Sequence, residues 1–194
     1  MNVPNRLTVS RLIMVPLFVI SFILPEFSES LKFISTVAMI VFYVLIELSD
    51  ALDGYIARSR HLVTDLGKVL DPFSDTLAHL TFFLCFYGKG IMPFLPLAII
   101  VWREFGIVFV RMLLMKTGVV MAANIFGKIK TVLYAIVSLM SIISLILTEF
   151  FTSSVLYDNV LKGFFYAAAL AALISFLIYI KGVLDSKALS NMTR

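Results

Sequence analysis

The sequence predicts an all-α, polytopic membrane protein with six transmembrane helices around a polar cavity on the cytoplasmic side. Of its 194 residues, 61% are hydrophobic and 14% are charged, whereas soluble domains average about 45–50% apolar and about 25% charged residues. The mean hydropathy is +1.03. Six apolar runs are each long enough to cross a bilayer core, which takes about 20 helical residues. We expect one membrane domain over residues 1–194.

The first two predicted spans lead into an acidic stretch. Span one covers roughly Leu7–Leu24 and stops where Pro25 interrupts the apolar run. Span two covers roughly Leu31–Arg58 and is longer than a bilayer core requires. Its last turns should therefore project past the hydrocarbon, so that their polar side chains reach the membrane border.

Four aspartates flank the turn between spans two and three. Asp50 and Asp53 are three residues apart and Asp71 and Asp75 are four apart, so on helices each pair shares one face. If the two helices pack as an antiparallel hairpin, the four carboxylates converge. Two such charges about 5 Å apart repel by roughly 3 kcal/mol at an effective dielectric of about 20. A divalent cation would relieve this repulsion, and oxygen ligands favour Mg²⁺, Mn²⁺ or Ca²⁺ over Zn²⁺.

Small residues accompany the acids. Gly54 and Ala57 lie on the acidic face of span two, and Gly67 lies one turn before the acids of span three, which leaves room for a bulky ligand. Arg58 suits a phosphate oxygen. Glu47 lies one turn deeper and is either a further acid of the site or one half of an ion pair. A solvated acidic loop is the alternative interpretation, but such a loop does not require acids at helical spacing.

Four further spans complete the predicted helices. They cover roughly Leu66–Tyr87, Met92–Met115, Asn124–Leu147 and Val160–Ile180. In span three, His79 follows Asp75 by four residues and shares its face. It either hydrogen-bonds a neighbouring helix or contacts the substrate, and these two roles stay open at this point.

Span four and the start of span five carry basic residues. Arg103 lies near the middle of span four, and Arg111 lies eight residues later on the same face. A charge at that depth costs a few kcal/mol unless it is paired or faces a cavity. Arg103 is therefore either paired with an acid of another helix or part of an anion pocket beside the acids, and we favour the pocket. Lys128 and Lys130 either join this pocket or only fix the orientation of span five.

Basic residues also predict the topology. Twelve of the 16 Lys and Arg residues fall on the side of the N-terminus, the acidic stretch and the C-terminus. The positive-inside rule places that side in the cytoplasm, so we expect a protein of the cytoplasmic (inner) membrane with its active site and both termini inside. The net charge of +4 suits an anionic membrane surface and gives no indication of nucleic-acid binding.

The acidic stretch resembles the signature of the CDP-alcohol phosphotransferase family, D-x2-D-G-x2-A-R-x8-G-x3-D-x3-D. All eight fixed positions are matched between Asp50 and Asp75. The resemblance implies an integral membrane enzyme that breaks a CDP-linked pyrophosphate and transfers the phospho-alcohol to a hydroxyl. It also implies Mg²⁺ or Mn²⁺ as cofactor and a homodimer in the membrane.

The resemblance further implies roles for individual residues. Asp75 would be the general base for the attacking hydroxyl and a further metal ligand. The metal ligands would be Asp50, Asp53, Asp71 and Asp75. The CDP group would be bound by Asp50, Asp53, Gly54, Ala57, Arg58, Gly67 and Asp71.

Other segments resemble phosphatidylglycerophosphate synthases within that family. They are the opening N-V-P-N-R-L-T-V-S-R-L, the R-E pair followed by a later arginine in span four, and G-K-I-K-T at the start of span five. This resemblance implies CDP-diacylglycerol and sn-glycerol 3-phosphate as substrates, with CMP released. The acceptor phosphate would then meet Arg103, Arg111, Lys128 and Lys130.

One departure keeps another acceptor open. Those synthases usually follow the last acid with lysine, whereas this chain has Thr76 there and His79 beyond it. The headgroup pocket is therefore altered, and a CDP-choline:diacylglycerol cholinephosphotransferase is the alternative enzyme. A small membrane transporter is the non-enzymatic alternative, but it predicts inverted repeats or broken helices, and neither is visible.

Overall fold

Six long helices make up nearly all of the chain in a computed structural model that describes residues 1–60, 62–117, 125–151 and 154–185. Two short 3₁₀ helices, Leu24–Glu26 and Glu29–Leu31, join the first two long helices, and no strand occurs among the described residues. The all-α class and the count of six long helices are confirmed. The helices are α1 Val3–Ile23, α2 Lys32–Ser59, α3 Asp65–Gly88, α4 Phe94–Thr117, α5 Ile125–Phe150 and α6 Val155–Asp185.

In the part of the chain that the structure describes, four helical segments are long and apolar enough to cross a membrane by length and composition. They are Val3–Glu26, Glu29–Ser59, Ile125–Phe150 and Val155–Asp185. The other two predicted spans coincide with α3 and α4, which carry the charged residues noted above. Their charges reduce their apolar character, as expected for helices that hold a polar site within a membrane protein.

Two helix starts are set by local capping. Asn2 caps α1, because its side chain accepts a hydrogen bond from the backbone N–H of Asn5 at 3.1 Å. The first helix therefore begins at Val3, four residues before the start predicted from hydropathy. At α3, the Thr64 hydroxyl accepts a hydrogen bond from the N–H of Gly67 at 3.0 Å. These caps fix where the polar ends of α1 and α3 lie.

The chain divides into two compact units, residues 1–85 and 86–194. In the first unit, α1, α2 and α3 each contribute one ring to an aromatic core. The Phe82 ring lies 4.7 Å from that of Phe18 and 5.2 Å from that of Tyr43, in edge-to-face contacts. This core aligns the three helices below their polar ends. The assignment of residues 1–194 to one domain stays a prediction.

In the second unit, α6 packs against both α4 and α5. Four alanines on α6 are buried: Ala168, Ala169, Ala171 and Ala172. A Cβ placed on Gly106 of α4 would lie 2.9 Å from the ring of Phe176 on α6, so the missing side chain allows these helices to approach closely. Asn124, the predicted start of span five, lies outside the described residues, as do Lys187 and Arg194 of the topology count.

Candidate active site

Three signature acids meet two side chains of α1. The buried guanidinium of Arg11 lies 2.7 Å from Asp50 Oδ1 and 2.5 Å from Asp53 Oδ2. The hydroxyl of Thr8 lies 3.0 Å from Asp53 Oδ2 and 2.9 Å from Asp71 Oδ1. The structure thus brings together the acids that the sequence placed on two different helices, and α1 joins them.

Local structure explains this arrangement. Thr8 and Arg11 are three residues apart on α1 and therefore share the face that points to α2 and α3. Asp53 is 3% exposed, whereas Asp50 is about half exposed. The cluster therefore runs from a buried interior end to an open end that a ligand can reach.

The fourth acid makes a different contact. Asp75 Oδ1 lies 3.1 Å from Nδ1 of His79, one turn later on α3. On the other side of the ring, Nε2 of His79 lies 3.8 Å from Glu47 Oε1 on α2. Glu47 Oε1 is buried and has no hydrogen-bond donor among the described residues. His79 thus stands between two carboxylates, and it contacts both its own helix and a neighbouring one.

The donor set suits a divalent cation in its chemistry. Asp50, Asp53 and Asp71 offer carboxylate oxygens, the ligands that Mg²⁺ and Mn²⁺ prefer. Each uses one oxygen for α1, and the second oxygen makes no hydrogen bond or ion pair with the described residues. Within the described chain, no three His, Cys, Asp or Glu side chains are already grouped as metal ligands. In this structure Arg11 supplies the positive charge among these acids.

Side chains of the protein occupy part of the space beside the small residues. A Cβ on Gly54 would lie 3.3 Å from a terminal nitrogen of Arg58. The Arg58 side chain is exposed and lies along the helix over Gly54, while Ala57 is partly exposed. Gly54 thus lets the guanidinium lie close to the helix, at the end of α2 that carries the acids.

Gly67 performs a packing role in the structure. A Cβ at this position would lie 3.1 Å from Asn5 Oδ1 and 3.2 Å from Thr64 Oγ1. Asn5 also donates a hydrogen bond to Thr64 Oγ1 at 3.1 Å, and Asn2 donates one to the carbonyl of Leu62 at 2.8 Å. The absent side chain therefore allows the start of α1 to lie against the start of α3.

Four residues that build the site were not predicted to belong to it. Asn5, Thr8 and Arg11 of α1 and Thr64 before α3 were not predicted to contact the acids or their helices. The signal was present, because the first three lie in the opening segment that resembles the synthases. That resemblance did not predict which residues these side chains contact. Contacts between residues 42 to 63 positions apart also leave no trace in the local periodicity of the sequence.

A second polar cluster lies in residues 86–194 and centres on Glu104. Its carboxylate accepts hydrogen bonds from Arg103 at 2.9 Å, from Lys130 at 2.8 Å and from the Tyr134 hydroxyl at 3.0 Å. Arg103 also donates to the Ser175 hydroxyl at 3.3 Å. All five side chains are buried. Arg103 thus pairs with an acid on its own helix, and the pair between helices is made by Lys130.

The other residues predicted for the acceptor pocket are more exposed to solvent than the buried residues around Glu104. Arg111 on α4 and Lys128 on α5 are exposed, and Thr76 on α3 is partly exposed. Thr76 belongs to the first compact unit and the two basic residues to the second. A shared acceptor pocket therefore stays a prediction.

Fold and site together indicate a class, the multi-pass helical membrane proteins with a candidate acidic active site. The family model described as CDP-alcohol phosphatidyltransferase matches residues 1–180. The chain therefore belongs to the CDP-alcohol phosphotransferase family, as the signature predicted.

Three curated relatives carry the name CDP-diacylglycerol–glycerol-3-phosphate 3-phosphatidyltransferase. The Bacillus subtilis protein is 33% identical over 136 residues, which is 67% of this chain and 70% of that protein. The Aquifex aeolicus protein is 33% identical over 146 residues, 73% of this chain and 75% of that protein. The Treponema pallidum protein is 39% identical over 99 residues, 51% of this chain and 46% of that protein.

Proposed function

We propose that the protein transfers the phosphatidyl group of CDP-diacylglycerol to sn-glycerol 3-phosphate and releases CMP. The observation that carries this proposal is the gathering of Asp50, Asp53 and Asp71, three signature acids from two helices, beside α1. The names of relatives at 33–39% identity support the choice of donor and acceptor.

In the proposed reaction, a hydroxyl of glycerol 3-phosphate attacks the phosphorus that carries the diacylglycerol. A new P–O bond forms, the P–O bond to CMP breaks, and CMP leaves with the bridging oxygen. Asp75 takes the proton of the attacking hydroxyl. Its side chain is 35% exposed and its Oδ1 faces the ring of His79, so the carboxylate is both held in place and accessible.

The acids would hold a divalent ion, Mg²⁺ or Mn²⁺, that neutralises the pyrophosphate and the departing CMP. Its ligands would be Asp50, Asp53, Asp71 and Asp75. Arg58 would contact a phosphate oxygen of the donor, at the end of α2 that carries the acids. Gly54 and Ala57 would form the adjoining surface for CDP, and Gly67 would support it by holding α1 against α3.

For the acceptor phosphate we propose the basic residues of α4 and α5. Arg103 and Lys130 are held together on Glu104, which leaves one net positive charge in a buried cluster. A phosphate dianion is a suitable partner for such a charge. Arg111 and Lys128, both exposed, would extend this surface, and Thr76 and His79 would line the headgroup pocket.

Membrane placement completes the proposal. The protein would lie in the cytoplasmic membrane as a homodimer of single-domain chains, with the termini, the polar cavity and the active site on the cytoplasmic side. The distribution of basic residues supports this orientation. Labelling of single cysteines, one placed between α2 and α3 at Leu62 and one between α3 and α4 at Lys89, in intact cells, would report which side each faces.

Product analysis tests the reaction. Purified protein receives CDP-diacylglycerol with labelled glycerol 3-phosphate, or CDP-choline with diacylglycerol, each with and without EDTA. We expect labelled phosphatidylglycerophosphate in the first reaction, with loss of product in EDTA and in an Asp71→Asn variant. Product only from CDP-choline would replace our proposal with the cholinephosphotransferase, the alternative that Thr76 and His79 keep open. Transfer that persists in EDTA would remove the metal from the mechanism.

A further inference from the structure

We propose that α1 sets the acid cluster for a cation, with Thr8 as a positioning residue and Arg11 as a standing counter-charge. We rest this on the proposed role of the signature acids as the cation site, but not on the identity of the alcohol. Neither residue belongs to the signature, and the contacts of both cross from α1 to the helices that carry the acids.

The first step is the division of the carboxylate oxygens. Asp50 Oδ1 and Asp53 Oδ2 face Arg11, and Asp53 Oδ2 and Asp71 Oδ1 face Thr8. The second oxygen of each carboxylate has no hydrogen bond or ion pair with the described residues. Each acid is therefore fixed through one oxygen while the other remains available to a ligand.

The second step concerns the single proton of Thr8. Its hydroxyl lies 3.1 Å from the carbonyl of Pro4 and about as far from Asp53 Oδ2 and Asp71 Oδ1. One proton cannot serve three acceptors at once. The hydroxyl therefore donates to one acceptor at a time, and it lies where carboxylates of two different helices meet. It neutralises neither carboxylate. This contact sets the spacing of the acids and leaves their charge in place.

The third step concerns the charge of Arg11. The side chain is 1% exposed, and its Nε donates to the Ser49 hydroxyl at 3.3 Å. The ion pair of its Nη1 with Asp50 lacks the alignment of a hydrogen bond, since that nitrogen has no hydrogen-bond acceptor. Arg11 offsets one carboxylate charge of the cluster and leaves net negative charge for a divalent cation. Arg11 thus makes the cluster tolerable without a cation and keeps it attractive to one.

Cation binding without any lipid substrate tests the role of Thr8. Mn²⁺ is titrated into purified, detergent-solubilised protein, and free Mn²⁺ is followed by electron paramagnetic resonance. We expect Thr8→Val to weaken Mn²⁺ binding by about 10-fold, as for other groups that orient metal ligands. Thr8→Ser should restore affinity because it keeps the hydroxyl. Thr81→Val is the matched control, since the Thr81 hydroxyl bonds the Leu77 carbonyl one turn earlier and no other group of the described residues.

The outcomes separate this inference from the proposed function. Wild-type Mn²⁺ affinity in Thr8→Val, together with weakened binding in Asp71→Asn, would overturn the positioning role and leave the acid site intact. Unchanged binding in both variants would overturn both, because the acids would then not be the cation site. An equal loss in Thr8→Val and Thr81→Val would also contradict the positioning role, since it would reflect general damage to the helices.

Thermal unfolding tests the role of Arg11. In EDTA, Arg11→Met should melt below the wild type, because the carboxylates then repel one another without a counter-charge. Saturating Mn²⁺ should raise its melting temperature by more than it raises that of the wild type, and Arg11→Lys should fall between. A purely structural role would lower both melting temperatures equally and leave the Mn²⁺-induced shift unchanged. That result would overturn the counter-charge role.

Discussion

The buried carboxylate of Glu104 offers the sharpest test of the packing in residues 86–194. Glu104 is 3% exposed and accepts hydrogen bonds from Arg103, Lys130 and Tyr134 at 2.8–3.0 Å. The change Glu104→Gln keeps the size of the side chain and one carbonyl oxygen. It removes the only negative charge of this cluster, so two buried cations face each other without compensation.

The expected cost follows from that imbalance. Removing one partner of a buried ion pair destabilises a protein by about 3–5 kcal/mol. Glutamine still accepts one hydrogen bond, so we expect the lower end, about 3 kcal/mol. For a chain of this size, that corresponds to a fall in melting temperature of about 6–12 °C. Lys130→Met should cost less, because Arg103 and Glu104 then remain as a neutral pair.

Thermal unfolding of purified protein, followed by the loss of the monodisperse peak in size-exclusion chromatography, measures this effect. The matched control is Glu29→Gln, since the Glu29 side chain is exposed and makes no hydrogen bond or ion pair with the described residues. The control should melt within about 1 °C of the wild type, as surface substitutions usually do. If Glu104→Gln melts as high as Lys130→Met, the charge imbalance is not what stabilises the cluster, and our reasoning is wrong.

Three further predictions concern catalysis and helix packing. Asp75→Asn should abolish turnover while sparing binding of the CDP-linked donor, and turnover at the wild-type rate would rule out Asp75 as the base. Gly106→Ala should lower the melting temperature, because the new Cβ lies 2.9 Å from an aromatic ring of α6; Gly163→Ala, with nothing within 4 Å, should raise it slightly. A lower melting point for both would refute the packing argument. Lys130→Met should raise the KM for glycerol 3-phosphate by about 10-fold or more, the range for a lost charged hydrogen bond, whereas exposed Lys128→Met should change it less. Equal changes in KM for Lys130→Met and Lys128→Met would show that Lys130 does not bind the acceptor phosphate.

The amino-acid sequence alone determined the fold class and the chemistry of the acids. Long apolar runs have few alternatives to helices in a membrane, because lipid offers no partner for free backbone groups. The spacing of Asp50 and Asp53, and that of Asp71 and Asp75, put each pair of signature acids on one helix face, and the same spacing identified the family. Hydropathy and residue spacing depend on residues that are close together in the sequence, so they can be read without a structure.

Tertiary structure decided which side chains hold those acids. Thr8 contacts Asp71 across 63 residues, and Arg11 contacts Asp53 across 42, and no periodicity in the sequence specifies either contact. Tertiary structure also showed that Asn5 and Thr64 fill the space beside Gly67, and that Glu104 pairs with Lys130 of another helix. Such pairs depend on how whole helices pack. They form only when the packing of apolar helix faces brings together polar groups that are distant in the sequence.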